Sequence, residues 1–196
     1  MNNITELVII IDQSGSMQGL QSDVIGGYNA LIEEQKKEGE TLVTTIFFSS
    51  VATYVHERVD IKTLNPITQK DYRPGGCTAL LDAVGDAIAF IKAKHASLSE
   101  EALPAHTIFS IMTDGYENAS REYTYERVHS MIEMQQKCGW TFLFQAANID
   151  VAKEAHSLGI HPSMAFCFAA DPEGVGRGMK KVCGCISEAR QKPRRK

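Results

Sequence analysis

Apolar and polar positions change period repeatedly along this chain, and each change predicts an element. Leu7-Val8-Ile9-Ile10-Ile11 is a continuous run rich in β-branched residues, the pattern of a central strand buried on both faces. Val24, Ile25, Tyr28, Leu31 and Ile32 then recur at helical spacing, with Ser22 and Asp23 as cap candidates and Gly39 placed to stop the helix. Leu42–Phe48 and Val51–Val55 predict two strands joined at Ser49-Ser50 as a hairpin. After a polar, Pro-containing connection from Asn65 to Gly76, the clearest amphipathic stripe of the chain comprises Ala79, Leu80, Ala83, Val84, Ala87, Ile88 and Ile91. Ser97 to Pro104 reads as a loop. A strand over Thr107–Met112 follows, then a helix marked by Tyr125, Val128, Met131 and Ile132 and closed near Gly139. The remainder predicts a strand at Trp140–Phe144, a short helix at Val151–Leu158, a strand at Met164–Phe168 and a last helix at Glu173–Ala189, interrupted by several glycines.

Strands alternating with helices predict an α/β architecture. It is a doubly wound, mostly parallel central sheet with one antiparallel edge strand, contributed by the hairpin, and helices on both faces. No internal repeat or break in composition divides the chain, so residues 1–191 are expected to form one domain. Sheets of this kind bind ligands beyond the carboxyl ends of their strands, where the strand order reverses. Asp12 and Asp114 each fall just past the carboxyl end of a predicted strand.

Composition narrows the class. A chain of 196 residues with 43% hydrophobic and 22% charged positions has the makeup of an ordinary globular domain with a sizeable core. The start, Met1 to Glu6, lacks the basic and apolar regions of a signal peptide. The longest apolar run, Met164–Ala170, falls far short of the ~20 residues that cross a bilayer. A cytoplasmic protein without a membrane segment is expected. Five cysteines in no CxxC spacing support neither a disulfide framework nor a zinc site. The segment Lys192-Pro193-Arg194-Arg195-Lys196 is expected to be a disordered basic tail. Removing its four positive charges from the net −4 leaves −8 on the preceding residues, which argues against a nucleic-acid partner.

The candidate chemistry begins at Asp12-Gln13-Ser14-Gly15-Ser16. Alternate residues of an extended segment face one way, so this spacing can bring one carboxylate and two hydroxyls to a point. All are hard oxygen donors of the kind that suit Mg²⁺, Mn²⁺ or Ca²⁺. Two further pieces follow in order: Gly75-Gly76-Cys77-Thr78 ahead of the striped helix, and Thr113-Asp114-Gly115 at the end of a strand. Together they resemble the von Willebrand factor type A domain and its metal-ion-dependent adhesion site. The family pattern is Asp-x-Ser-x-Ser, a Thr in a second loop and an Asp in a third, and Asp12, Ser14, Ser16, Thr78 and Asp114 fill it. The resemblance spans about residues 4–170 and extends to the terminal helix. It is closest to small intracellular bacterial or phage-type members, through phrases such as Thr78-Ala79-Leu80-Leu81-Asp82-Ala83 and Ala147-Asn148-Ile149-Asp150. Related domains are associated with tellurium-resistance operons or with ATPase assemblies such as chelatases.

The resemblance implies a Rossmann-like fold and a Mg²⁺ site, with Mn²⁺ or Ca²⁺ as substitutes. Ser14, Ser16 and Thr78 would be direct ligands, Asp12 and Asp114 would act through water, and a Glu or Asp of a protein partner would complete the octahedron. Cys77 stands where the family usually has Gly or Ser and reads as a tolerated small residue. Glu117 reads as a solvated loop charge or a flank of the site, Asp82 as compensation of the helix dipole, and Asp150 as a helix N-cap. Gly174-x-Gly176-x-Gly178 is not a dinucleotide fingerprint, since it follows no phosphate-loop strand. A protein-interaction module rather than an enzyme is expected, because no base, nucleophile or lysine converges on the motif. A metal-dependent phosphoester hydrolase and a domain of this type that binds through another surface are the alternatives. The second carboxylate that phosphoryl-transfer folds place two residues after the first is Ser14 here.

Overall fold

The structure is a computed structural model and describes residues 3–191; the basic tail at 192–196 lies outside the described residues. The elements are β1 (Thr5–Asp12), α1 (Gln21–Gln35), β2 (Thr41–Phe48), β3 (Ala52–Asp60), α2 (Leu80–Ala96), β4 (His106–Thr113), α3 (Tyr125–Lys137), β5 (Thr141–Ala146), α4 (Val151–Ser157), β6 (Ala165–Cys167) and α5 (Pro172–Arg190). They form a six-stranded sheet in the order β3-β2-β1-β4-β5-β6. All neighbouring strands are parallel except β2 and β3, the antiparallel edge. This is the expected architecture.

β1 shows why the order of residues gives this layering. Side chains alternate across a strand. Leu7, Ile9 and Ile11 pack on one face with Tyr28 and Leu31 of α1 and Val182 and Ile186 of α5. Val8 and Ile10 pack on the other with Val84 and Ile88 of α2, Val128 and Ile132 of α3, and Ala155 of α4. Each such buried side chain contributes about 1.5–3 kcal/mol, so an uninterrupted apolar run belongs at the sheet centre. The chain leaves β1 through α1 to reach β2 on one side and, after the hairpin, through α2 to reach β4 on the other. The strand order therefore reverses between β1 and β4, where Asp12 and Thr113 end their strands.

Some boundaries differ from expectation. Helix α1 begins at Gln21 after Leu20, with no side-chain cap, so Ser22 and Asp23 lie in its first turn instead of capping it. The helix ends at Gln35, and Gly39 takes φ +132 in the turn before β2, where a side chain would be strained. Val51 is 69% exposed in the hairpin turn, and β3 runs from Ala52 to Asp60. The polar stretch His56-Glu57-Arg58 hides that length from an apolar pattern, yet charged residues are common on edge strands, where they deter pairing with other chains. Arg58 adopts φ 51 at an irregularity in the β2–β3 register, its amide donating to Thr44 Oγ1 at 3.1 Å. Its Nε reaches 2.9 Å from Oε2 of Glu6, a carboxylate buried at the start of β1.

The glycines of α5 differ in role. A Cβ on Gly174 would collide with the Ala169 carbonyl, and one on Gly178 would stand 2.9 Å from Gln145 Oε1, whereas Gly176 faces open space. Gly184 also faces open space, so two of the four glycines of α5 are close-packed. No helix among the described residues is long and apolar enough to cross a membrane.

Candidate metal centre

The centre is built where β1 and β4 end. Past Asp12, a short 3-10 turn at Gly15–Met17 folds Ser16 back over Ser14. The loop is pinned from both sides: Gln13 N donates to Phe48 O at 2.7 Å, Gly15 N to Gly76 O at 3.0 Å, and Gly75 N to Gln13 O at 2.8 Å. The segment before Thr78 is therefore stitched to the Asp-x-Ser-x-Ser loop through backbone bonds. From below, the Tyr72 hydroxyl donates to the Asp12 carbonyl at 2.5 Å. Burial, with Asp12 and Asp114 nearby, raises the Tyr72 hydroxyl pKa far above the usual tyrosine value, so it stays a neutral donor.

Four of the five expected residues, Asp12, Ser14, Thr78 and Asp114, are buried, while Ser16 is exposed and opens the centre to solvent. Asp12 Oδ1 accepts from the Ser14 amide and Oδ2 from the Thr113 hydroxyl, each at 2.6 Å. The Ser14 and Ser16 hydroxyls lie 3.0 Å apart, and Ser16 Oγ donates to Asp114 Oδ1 at 2.5 Å. A Cβ placed on Gly115 would stand 3.9 Å from both Ser16 Oγ and Thr78 Oγ1, so those hydroxyls border one small space beside a residue with no side chain. All five expected residues come together at one sheet end.

Electrostatics set the character of the centre. Burial raises the Asp12 carboxyl above its ordinary pKa; the bonds from Thr113 and Ser14 oppose that shift, and the charge of Asp114 adds to it. Two carboxylates thus share a poorly solvated space with hydroxyls. Ser16 donates its hydroxyl to Asp114 and so accepts from Ser14, which leaves one of its oxygen lone pairs for an electrophile. Among the described residues no group of three or more His, Cys, Asp or Glu is placed to hold a metal. Any ion held here must rely on hydroxyl oxygen, a donor set that fits a hard cation.

The third loop differs most from expectation. Glu117 is not a solvated charge. Its Oε1 accepts from the amides of Ala119 and Ser120 at 2.8 and 2.7 Å, and its Oε2 from the Leu81 amide at 2.9 Å and the Ser120 hydroxyl at 2.8 Å. Asp82 does more than offset a dipole: it accepts the amides of Arg121, Glu122 and Tyr123 at 2.8, 3.0 and 2.9 Å. Asn118 grips Thr78 by both backbone groups, its Oδ1 accepting from Thr78 N at 2.9 Å and its amide donating to Thr78 O at 3.0 Å. Asp150 does cap α4, accepting from Lys153 N at 3.0 Å, and its own amide donates to the Tyr116 hydroxyl at 3.1 Å. Cys77 is exposed beside the site, its amide donating to Ser50 Oγ at 3.0 Å.

Sequence reasoning missed Tyr72, Thr113, Asn118 and Ser120 as parts of this site. Thr113 lay within the motif and could have been found from its position on the strand end. Nothing in the polar connection singles out Tyr72.

No known sequence family and no curated protein matches this chain. Solved structures do. The chain is similar to the D319A mutant of the PilB minor pilin from Streptococcus sanguinis, with a TM-score of 0.66 and 13% identity over 96% of this chain and 62% of that one. It is similar to proximal thread matrix protein 1 from the mussel byssus with a zinc-occupied MIDAS motif, with a TM-score of 0.64 and 13% identity over 97% of this chain and 47% of that one. A von Willebrand factor type A protein from Catenulispora acidiphila gives 0.60 and 14%, over 91% and 42%. The doubly wound sheet with its single antiparallel edge is an α/β fold of the Rossmann-like class. Within that class it is the von Willebrand factor A-type fold. The chain spans 62% or less of the length of each of these three.

Proposed function

We propose that this domain is a metal-dependent protein-interaction module, with Mg²⁺ held by Ser14, Ser16 and Thr78 and a partner's Glu or Asp as the closing ligand. The observation that carries the reading is the Ser16–Asp114 bond. A hydroxyl whose proton is committed to a carboxylate offers a lone pair to a cation. Asp12 and Asp114 supply the charge that draws a cation in, while their existing bonds to Thr113, the Ser14 amide and Ser16 hold them to the side of the hydroxyls. Bound Mg²⁺ would supply an open coordination position that neutral oxygen ligands leave electrophilic enough to seek an anion. Mn²⁺ and Ca²⁺ suit the same donors, and zinc belongs in any titration because one structure of this fold carries it. The non-enzymatic reading draws its support from proteins of similar fold. Proteins of similar fold include, by their descriptions, a minor pilin, a byssus matrix protein and a pilus adhesin.

The test is capture of binding proteins on immobilised wild type in Mg²⁺, on wild type in EDTA, and on Asp12→Ala in Mg²⁺. A protein held only in the first case, and released when its acidic contact residue is changed to the amide, is the expected result. A partner retained equally by all three baits sinks the reading and moves binding to another surface.

A further inference from the structure

We infer that Glu117 is a positioning residue for the metal centre, acting as a clamp that fixes Thr78 relative to Asp114; the inference rests on the metal reading above. Helix α2 starts immediately after the Thr78 loop, and its N-cap position is Ala79, which has no side chain to satisfy the first free amides. The third loop does that work instead. Glu117 accepts from Leu81 N at 2.9 Å, and Ser120 Oγ accepts from Asp82 N at 3.0 Å while donating to Glu117 Oε2 at 2.8 Å. The helix answers through Asp82, which accepts three consecutive amides of that loop, Arg121 to Tyr123. Tyr123 then lies against Gly85, where a Cβ would strike its ring.

The clamp connects two pieces of the site that lie 36 positions apart in sequence, counted from Leu81 to Glu117. Thr78 enters through the loop before α2, and Asp114 enters at the end of β4. Between them Asn118 binds both backbone groups of Thr78, so the hydroxyl that faces Gly115 is held by a residue four positions after Asp114. Glu117 sets that geometry because each of its oxygens takes two donors, one pair from its own loop and one pair that includes the helix. A glutamine there keeps a single acceptor and turns an NH₂ toward an N–H donor, which breaks one arm of the clamp without removing bulk. An anion at the start of a helix is also favoured by the helix dipole, so the clamp adds to the stability of α2.

A cap and a clamp are separable in measurement. A residue that only caps α2 changes the melting temperature and leaves metal affinity alone. One that positions Thr78 weakens metal binding well below the melting temperature, and it does so only while Thr78 is there to be positioned. Mn²⁺ binding, followed by the electron paramagnetic resonance signal of free ion at 10 °C, reads this for wild type, Glu117→Gln, Thr78→Ala and the double variant. Asp171→Ala, which removes the cap of α5 on the opposite face of the sheet, serves as the purely structural control. The expected result is a loss of roughly 10–100-fold in affinity for Glu117→Gln, the range typical of residues that orient metal ligands, no further loss on adding it to Thr78→Ala, and wild-type affinity for Asp171→Ala. Wild-type affinity in Glu117→Gln, or losses that multiply in the double variant, would overturn the clamp while leaving the metal reading intact. Failure of the wild type to bind Mn²⁺ would overturn both.

Discussion

At the scale of single residues, Asp12 is held by three separate segments of chain, and that explains its high burial. Ser14 N and Thr113 Oγ1 occupy its two carboxylate oxygens, and Tyr72 occupies its carbonyl. Tyr72→Phe removes only the last of these and leaves a buried acceptor short of a donor, which costs about 1–3 kcal/mol. Denaturant unfolding should show that loss with an unchanged m-value, and an unaltered midpoint would deny Tyr72 its supporting role. His56 offers a test by pH. Burial beside Tyr28, whose hydroxyl lies 3.5 Å from its Nδ1, holds its pKa below 6.5 despite the charge of Asp71. A group with a lowered basic pKa binds fewer protons folded than unfolded, so its contribution is complete above pH 6.5 and erodes as pH falls through and below that value. Stability should therefore decline between neutral pH and pH 5 more steeply in wild type than in His56→Gln; parallel profiles would contradict the assignment. The convergence of Asp12, Ser14, Ser16, Thr78 and Asp114 on one sheet end was legible because residue type, spacing and strand ends agreed. Glu117 was not, because a lone loop glutamate reads the same whether it meets water or four donors.

Elements tell a similar story at larger size. The central strand β1 and the striped helix α2 were plain in the sequence, since both bury apolar residues at the period of their own geometry. Strand β3 was cut short because an edge strand satisfies only one side and carries polar residues on its exposed positions, and because the irregularity at Arg58 breaks its alternation. The cap of α2 comes from a loop some 36 residues away in sequence, beyond any local signal. Helix α5 was blurred by its glycines, of which Gly174 and Gly178 are close-packed against other segments. Gly174→Ala should destabilise the domain by about 1–3 kcal/mol, the cost of overpacking, because a backbone carbonyl lies where the methyl group would be. Gly176→Ala, facing open space within the same helix, should stabilise it by about 0.5–1 kcal/mol. Thermal melts of the two variants check this, and equal shifts in the same direction would show that the helix packs differently.

For the molecule as a whole, the sheet order places the ends of β1 and β4 side by side, and that reversal gathers loops from three distant parts of the sequence into one site. The same arrangement concentrates two carboxylates at a single sheet end in a chain of net charge −4. Alternation of strands and helices made the sheet legible, and the positions of Asp12 and Asp114 marked the sheet end where the candidate site lies. The bonds between the second and third loops emerge only from folding, because most of their donors are backbone amides that carry no signature in the sequence. A ligand that binds only the folded form stabilises it by RT ln(1 + [L]/Kd), about 2.7 kcal/mol at 100-fold over Kd. The most direct measurement of the central claim is the melting temperature of wild type and Ser14→Ala, each in EDTA and in millimolar Mg²⁺. Metal should raise the wild-type transition by several degrees and leave Ser14→Ala unmoved; wild-type curves that coincide with and without Mg²⁺, Mn²⁺ or Ca²⁺, or a shift that survives Ser14→Ala, would contradict a metal held by these hydroxyls.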